Sequence, residues 1–355
     1  MSVRRQGGRG SAPTRAEAGA SAAGSPIARF LPRGVAWGAP PLALLLAVAL
    51  PFALAGGQQR TATAIFMFVA LAQAWNLIGG FAGYPSFGNV VFFGLGGYTT
   101  ASLMAHAGAS YWVTLPAAGA MGAVFAAIVG VPILRLRGHY FAIATLGVAE
   151  GTREVVTNMG SVTGGGAGIT VPAVGTQATT AYLGNLGFYY LFLGLAAVAT
   201  LVAWLVARSR FGYALRAIHQ DEEAAAAMGV NTTIAKIAAF SLSGLVTGLV
   251  GSAFAFQQVT IYPQRLFDVE ITVLMVVMAV IGGSGTVLGP LVGAVALQFL
   301  SEYLRVHFTN FHTFVFGALI VLAVVFLPQG LVNFTRDAWR LRRVPLLETV
   351  REYRL

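Results

Sequence analysis

Cysteine is absent from this chain of 355 residues, and lysine occurs once, at Lys236. Without thiols there is neither a disulfide framework nor thiolate chemistry. The segment Thr163 to Gly168, TGGGAG, has the look of a phosphate loop but lacks the GK[ST] ending, and the one lysine lies elsewhere. A Walker A site is therefore excluded, and with it ATP hydrolysis by that route. The glycines there are read as a tight external loop. The histidines, His106, His139, His219, His307 and His312, are scattered, and His307 and His312, five apart, have no carboxylate at ligand spacing, so no metal site is expected. No Ser-His-Asp set, paired carboxylates or nucleophile elbow stands out, so neither a catalytic residue nor a cofactor is expected.

Charge is scarce too, at 10%, whereas hydrophobic residues make up 57% and mean hydropathy is +0.74. That is too apolar for a soluble protein, and the alternation of an outer-membrane barrel is missing. The fold class expected is all-α, a polytopic integral membrane bundle of about ten spans, some short or broken. The spans are placed at 40–55, 61–80, 86–105, 112–134, 139–157, 188–207, 235–258, 268–283, 286–304 and 309–327. A net charge of +10 could point to nucleic acid, but the basic residues follow membrane topology and no aromatic-basic module accompanies them.

Residues 1–34, rich in Arg, Gly, Ser, Ala and Pro, read as a disordered cytoplasmic tail. A signal peptide is the competing idea, but the leader before Leu42 is too long for an ordinary n-region. A transmembrane domain over 35–330 and a cytoplasmic tail over 331–355 complete the division. With both termini inside, only Arg60, Arg153, Arg265 and Arg305 of the 22 Arg and Lys residues fall outside or near outer ends. This is the positive-inside bias. Tyr111, Trp112, Tyr182, Tyr189 and Tyr190 sit near the outer ends, where amphipathic rings suit the interface.

Two regions interrupt the spans. Gly79 to Gly97, GGFAGYPSFGNVVFFGLGG, sets Ser86 and Asn89 beside an apolar run, and Gly282 to Gly293, GGSGTVLGPLVG, does something similar in the second half. Non-helical backbone at membrane depth is tolerated only against protein or a water-filled cavity. Paired Gly/Pro breaks in two halves point to a transport path, and close packing through small residues is the alternative. Glu150, Arg153 and Glu154 share a helical face at spacings of three and four, with Glu150 about 16 Å along the helix from His139. They read either as a polar patch along a conduit or as a self-neutralising cluster where the helix leaves the membrane. Asn76, Ser86, Asn89, Glu150 and Arg153 are the candidates for a translocation path.

The stretch from Phe211 to Met228, FGYALRAIHQDEEAAAAM, is the polar helix between two long apolar spans. A bilayer would not accept Arg216, His219, Gln220, Asp221, Glu222 and Glu223 within eight positions. Its alanines favour helix, and Gly229 stands at the C-terminal cap. Such a helix lies across the membrane surface, either as an amphipathic connector or as a docking element.

Several stretches in order resemble the permease subunits of branched-chain amino-acid ABC importers, in particular the M-type partner of the two-permease pair. They are AWNLIGGFAGYPSFGNVVFFGLGGYTTA (74–101), LRLRGHYFAIATLGVAE (134–150), TGGGAGI (163–169), RSRFGYALRAIHQDEEAAAAMGVN (208–231), AFSLSGLVTGLVGSAFA (239–255) and AVIGGSGTVLGPLVGA (279–294). The resemblance implies an inner-membrane permease working with a second permease, cytosolic ATP-binding subunits and a periplasmic solute-binding protein. ATP would be bound by the partner subunits. It makes the polar segment 211–229 the coupling helix, with Gly212, Arg216, Asp221, Glu222, Glu223, Ala226 and Gly229 at the ATPase interface. Branched-chain or other hydrophobic amino acids are the expected substrate, with urea, short amides or another small polar solute as the alternative within the family. A self-sufficient ion-coupled carrier and a membrane-embedded enzyme are the rivals from other classes.

Overall fold

The computed structural model describes residues 47–52, 56–171, 183–307 and the isolated positions 317, 318 and 321. Contacts divide the chain into two units. Of the first, Met1–Ala53, the described part is a short helical stretch closing in a 3-10 turn at Leu50–Phe52. Apart from those three positions the expected span 309–327 lies outside the described residues, as do both tails and most of 40–55.

The second unit, Leu54–Leu355, is a helical bundle. Its long helices are α1 (Gly56–Trp75), α2 (Asn89–Ala107), α3 (Tyr111–Ile133), α4 (His139–Asn158) and α5 (Asn185–Arg208). The polar pair α6 (Arg210–Gln220) and α7 (Glu222–Ala227) follows, then α8 (Thr232–Gln258), α9 (Val269–Gly282) and α10 (Leu288–His307). The only strands among the described residues are β1 (Ile169–Thr170) and β2 (Thr260–Ile261), paired antiparallel with Ile169 opposite Ile261. An all-α membrane bundle is what the composition led us to expect. Among the described residues four helices are long and apolar enough to cross a membrane: Gly57–Gly80, Tyr111–Ile133, Asn185–Arg208 and Thr232–Gln258.

The most enclosed span is α1, where Ala70, Leu71, Ala72 and Ala74 are completely buried. The helix α8 meets α2 and α3 through glycines: a Cβ on Gly248 would lie 2.6 Å from the Ala118 carbonyl, and one on Gly96 would lie 2.2 Å from the Gly248 carbonyl. Only backbones without side chains approach so closely, the small-residue packing that replaces the hydrophobic effect between helices in lipid. By contrast α3 and α5 turn Val124, Ile128, Leu201 and Leu205 outward.

Both glycine-rich interruptions are real breaks in helix. The α1 helix widens at its end into a π-helical turn, Asn76–Gly80, and residues 81–88 then run without helix to the start of α2. This irregular stretch is enclosed by protein, as exposed amides in lipid would be untenable. Trp75 Nε1 donates to the Ser86 carbonyl at 2.8 Å, the Phe87 amide to Thr145 Oγ1 at 3.0 Å, and the Val90 amide to Thr272 Oγ1 at 2.9 Å. The helix before the second break, α9, has 14 residues. At ~1.5 Å per residue it is about 21 Å long, short of the hydrocarbon core.

A candidate coupling site at one end of the bundle

The segment 208–231 folds as two helices where one was expected. Ser209 opens α6 by accepting the Gly212 amide on its hydroxyl at 3.1 Å. Asp221 leaves the helical region, with φ −159° and ψ 111°, and its carboxylate accepts the amides of Glu223 at 2.9 Å and Ala224 at 3.0 Å. A short side-chain acceptor competes with the backbone ladder, so Asp221 ends α6 by capping α7. Gly229 has φ +87°, a conformation glycine adopts without steric cost, and lets the chain turn into α8. Asn231 caps that helix, accepting the Ile234 amide at 3.0 Å.

The face of this pair turned to the bundle is built around a carboxylate. Leu215, Ile218 and Ala225 are buried, and Glu222 turns inward with them instead of standing on the outer face. Its Oε1 lies 2.6 Å from Lys236 Nζ, and its Oε2 accepts the Tyr84 hydroxyl at 2.5 Å. Lys236 also donates to Tyr84 Oη at 3.0 Å and to the Leu134 carbonyl at 2.9 Å. These partners use the three protons of the ammonium. The two side chains are 6% and 15% exposed, which makes the pair a nearly dry one. Arg137, on the α3–α4 link, closes the cluster at the surface, with Nε 3.4 Å from Glu222 and a guanidinium nitrogen 2.9 Å from Glu223.

Burial pushes the Glu222 carboxyl up, but the hydrogen bonds from Lys236 and Tyr84 and the charges of Lys236 and Arg137 outweigh it. The net result lies below the ordinary carboxylate value of 4.5. Burial first, then the contact with Glu222, pushes the Tyr84 hydroxyl well up.

A second link joins α6 to the first glycine-rich segment. His219 Nδ1 lies 3.1 Å from the Gly80 carbonyl, and a Cβ on Gly83, where φ is +74°, would lie 2.7 Å from the same ring. From there contact passes to the other glycine-rich region. Asn76 donates to the Thr286 carbonyl at 2.8 Å and accepts the Gly285 amide at 2.8 Å, while Gln73 donates to the Val287 carbonyl at 2.6 Å. The interruptions, whose touching residues Asn76 and Gly285 stand 209 positions apart in the sequence, are thus one contact.

The other residues singled out above fall as follows. Gly212 is buried, and a Cβ there would lie 1.9 Å from the Val206 carbonyl, so the position excludes a side chain. Arg216 donates to the Ala207 carbonyl and lies over the rings of Tyr213 and Phe81, at 5.3 and 5.7 Å. Asp221, Glu223, Ala226 and Gly229 are exposed, together with Tyr213 at 63% and Met228 at 85%. Asn76, Ser86 and Asn89 are completely buried, Asn89 donating to Ser243 Oγ at 2.9 Å. Glu150 and Arg153 pair with each other on the outward face of α4, with Glu154 at 3.6 Å, so the five path candidates do not form one lining. No group of metal-ligating side chains occurs among the described residues.

Residues 59–324 match the family described as "Branched-chain amino acid transport system / permease component". The chain belongs to this family. A permease of it, then, carries the polar helix pair and the joined glycine-rich breaks. It is similar to the high-affinity branched-chain amino acid transport system permease protein LivM of Escherichia coli, 32% identical over 84% of this chain and 75% of that protein. The Salmonella typhimurium LivM is 31% identical over the same shares. A shorter likeness, 34% over 32% of this chain and 36% of the relative, is to the autoinducer 2 import system permease protein LsrC of Salmonella paratyphi B. No solved structure shows a significant match. As a member the permease is a multi-pass membrane transport subunit.

Sequence reading passed over Lys236, Tyr84 and Arg137 as site residues. A signal for the lysine was present, since a lone charge at the start of an apolar run needs a partner. The partner's identity needed the fold.

Proposed function

We propose that this permease is one membrane subunit of an ATP-driven importer of branched-chain or other hydrophobic amino acids. It works with a second permease, cytosolic ATP-binding subunits that supply hydrolysis, and a periplasmic solute-binding protein. Both termini lie in the cytoplasm. The pair α6–α7 is the docking element, received by the ATPase through Asp221, Glu223, Ala226 and the exposed side chains of Tyr213 and Met228. Glu150 and Arg153 line the path between the two permeases. Asn76, Ser86 and Asn89 act from inside the subunit, holding the irregular backbone beside it.

The observation that carries this reading is the polar helix pair, anchored to the bundle on one face and open on the other. A connector resting on lipid headgroups would present Lys or Arg outward. Arg210 is exposed at the start of α6, but from there to Gly229 no Lys or Arg is exposed, and the outward face carries Tyr213, His219, Asp221, Glu223, alanines and Met228.

Co-purification tests it. Wild-type protein extracted from its native membrane brings down ATPase activity, and Ala226→Arg/Met228→Arg protein, altered only at exposed positions, loses most of it. Wild-type protein that brings down no ATPase, yet alone accumulates leucine in vesicles, would sink the reading in favour of an ion-coupled carrier.

A further inference from the structure

We infer that the Lys236–Glu222 pair is the joint through which movement of the polar helices reaches the membrane-spanning helices, with Tyr84 and the Leu134 carbonyl as its seats. The inference rests on the docking role proposed above. It assigns Lys236 as a positioning residue for coupling, acting through Glu222, in place of contact with either substrate or ATP.

Four segments distant in sequence meet in this cluster. Glu222 is the first residue of α7, Lys236 lies just over one turn into α8, Leu134 follows α3, and Tyr84 belongs to the irregular stretch between α1 and α2. The Tyr84 ring also stands edge-on to Phe141 of α4 at 5.2 Å, and Phe141 in turn meets Phe240 of α8 at 6.3 Å. A displacement of α7 therefore cannot leave α8 and the 81–88 stretch behind without separating a nearly dry ion pair.

Holding these segments together does not by itself call for charge. Apolar side chains of similar volume often hold a buried site at least as well as an ion pair. Charge adds direction. Three ammonium protons aimed at Glu222, Tyr84 and Leu134, with two carboxylate oxygens received by Lys236 and Tyr84, set the angle between α7 and α8 as well as their distance. An apolar contact tolerates sliding and rotation, which would absorb a push from outside.

A second line from the same helices points the same way. His219 on α6 meets the Gly80 carbonyl in the π-turn, and Asn76 at the head of that turn holds Gly285 and Thr286. π-turns recur where helices adjust for function. The joint acts on α8 and the 81–88 stretch, and the histidine contact acts on the end of α1.

The test is solute carried per ATP hydrolysed by the complete transporter, reconstituted in vesicles with leucine and its binding protein. Variants are Glu222→Gln/Lys236→Met, which removes both charges at nearly constant volume, and Tyr84→Phe, which removes one oxygen. The double variant is expected to retain its ATPase and to hydrolyse ATP, while solute carried per ATP falls about tenfold, within the range that coupling free energies span. Tyr84→Phe lowers the ratio by less. A merely structural role would change the amount of assembled protein and leave the ratio alone. A wild-type ratio in the double variant overturns the joint. Should the double variant fail to assemble, Tyr84→Phe decides, a wild-type ratio overturning the inference and a lowered one supporting it. Wild-type protein that brings down no ATPase removes the docking reading itself, and the joint with it.

Discussion

At the scale of single residues, the cluster around Glu222 is where the molecule concentrates its electrostatics, and its pH response has a definite sign. The folded carboxyl lies below the ordinary value of 4.5, so protonation is resisted more strongly in the folded state than in the unfolded one. Its stabilising contribution is complete above the ordinary carboxylate range and is lost as pH falls through the lowered folded value. Thermal unfolding of detergent-purified protein should therefore drop more steeply on acidification from pH 5 to about pH 3 in wild type than in Glu222→Gln. Parallel curves would show that Glu222 is not the titrating group. Lys236 also marks how far the sequence was legible at this scale. Its isolation in an apolar run is visible in the string, but Tyr84 lies 152 positions away, and Glu222, 14 positions away, is cut off from it by the turn at Gly229, so no continuous helix pairs either with it.

Among elements, the instructive case is the polar segment. Its composition, its surface location and the turn at Gly229 were all legible from local chemistry. The break at Asp221 was not used, although Asp followed by two glutamates before an alanine run is the pattern of a helix N-terminus. Phe211, Leu215, Ile218, Glu222 and Ala225 recur at helical spacing straight through Asp221, and that concealed it. Because the cap accepts two amides, Asp221→Ala should destabilise the α6–α7 junction by about 1 kcal/mol, the usual worth of an N-cap. Asp221→Asn, which caps as well, should cost little. Hydrogen exchange of the Glu223 and Ala224 amides is the direct measure, and equal protection in both variants would refute the assignment. The glycine-rich interruptions show the opposite limit. Each break was legible on its own, but their meeting through Asn76 and Gly285 depends on how α1 and α9 pack, and no periodicity encodes that.

For the whole molecule, alternation of helix direction ties these local facts together. The polar pair, the Arg137 link, the π-turn and the Gly283–Thr286 turn are bonded to one another, directly or through one neighbour, so they share one end of the bundle. The chain leaves that end along α4 and α8, and both arrive at a second collection of turns, where Ile169 pairs with Ile261. If the polar pair meets a cytosolic ATPase, as proposed, the β1–β2 end faces the periplasm, in keeping with the sparse arginine there. The absence of cysteine makes this simple to check, because a single introduced thiol is the only one in the protein. Gln220 and Ser161 are exposed and lie at the two opposite ends, while Leu201 is 53% exposed on the apolar flank of α5. In intact spheroplasts a membrane-impermeant maleimide should label Ser161→Cys and spare Gln220→Cys. Opening the membrane should expose the second thiol, and Leu201→Cys should stay unreactive in both conditions if its side chain meets lipid. Labelling of Gln220→Cys from outside would invert the topology. The helix pair would then face the periplasm, where no ATPase could reach it, and both the docking role and the joint at Lys236 would fall together.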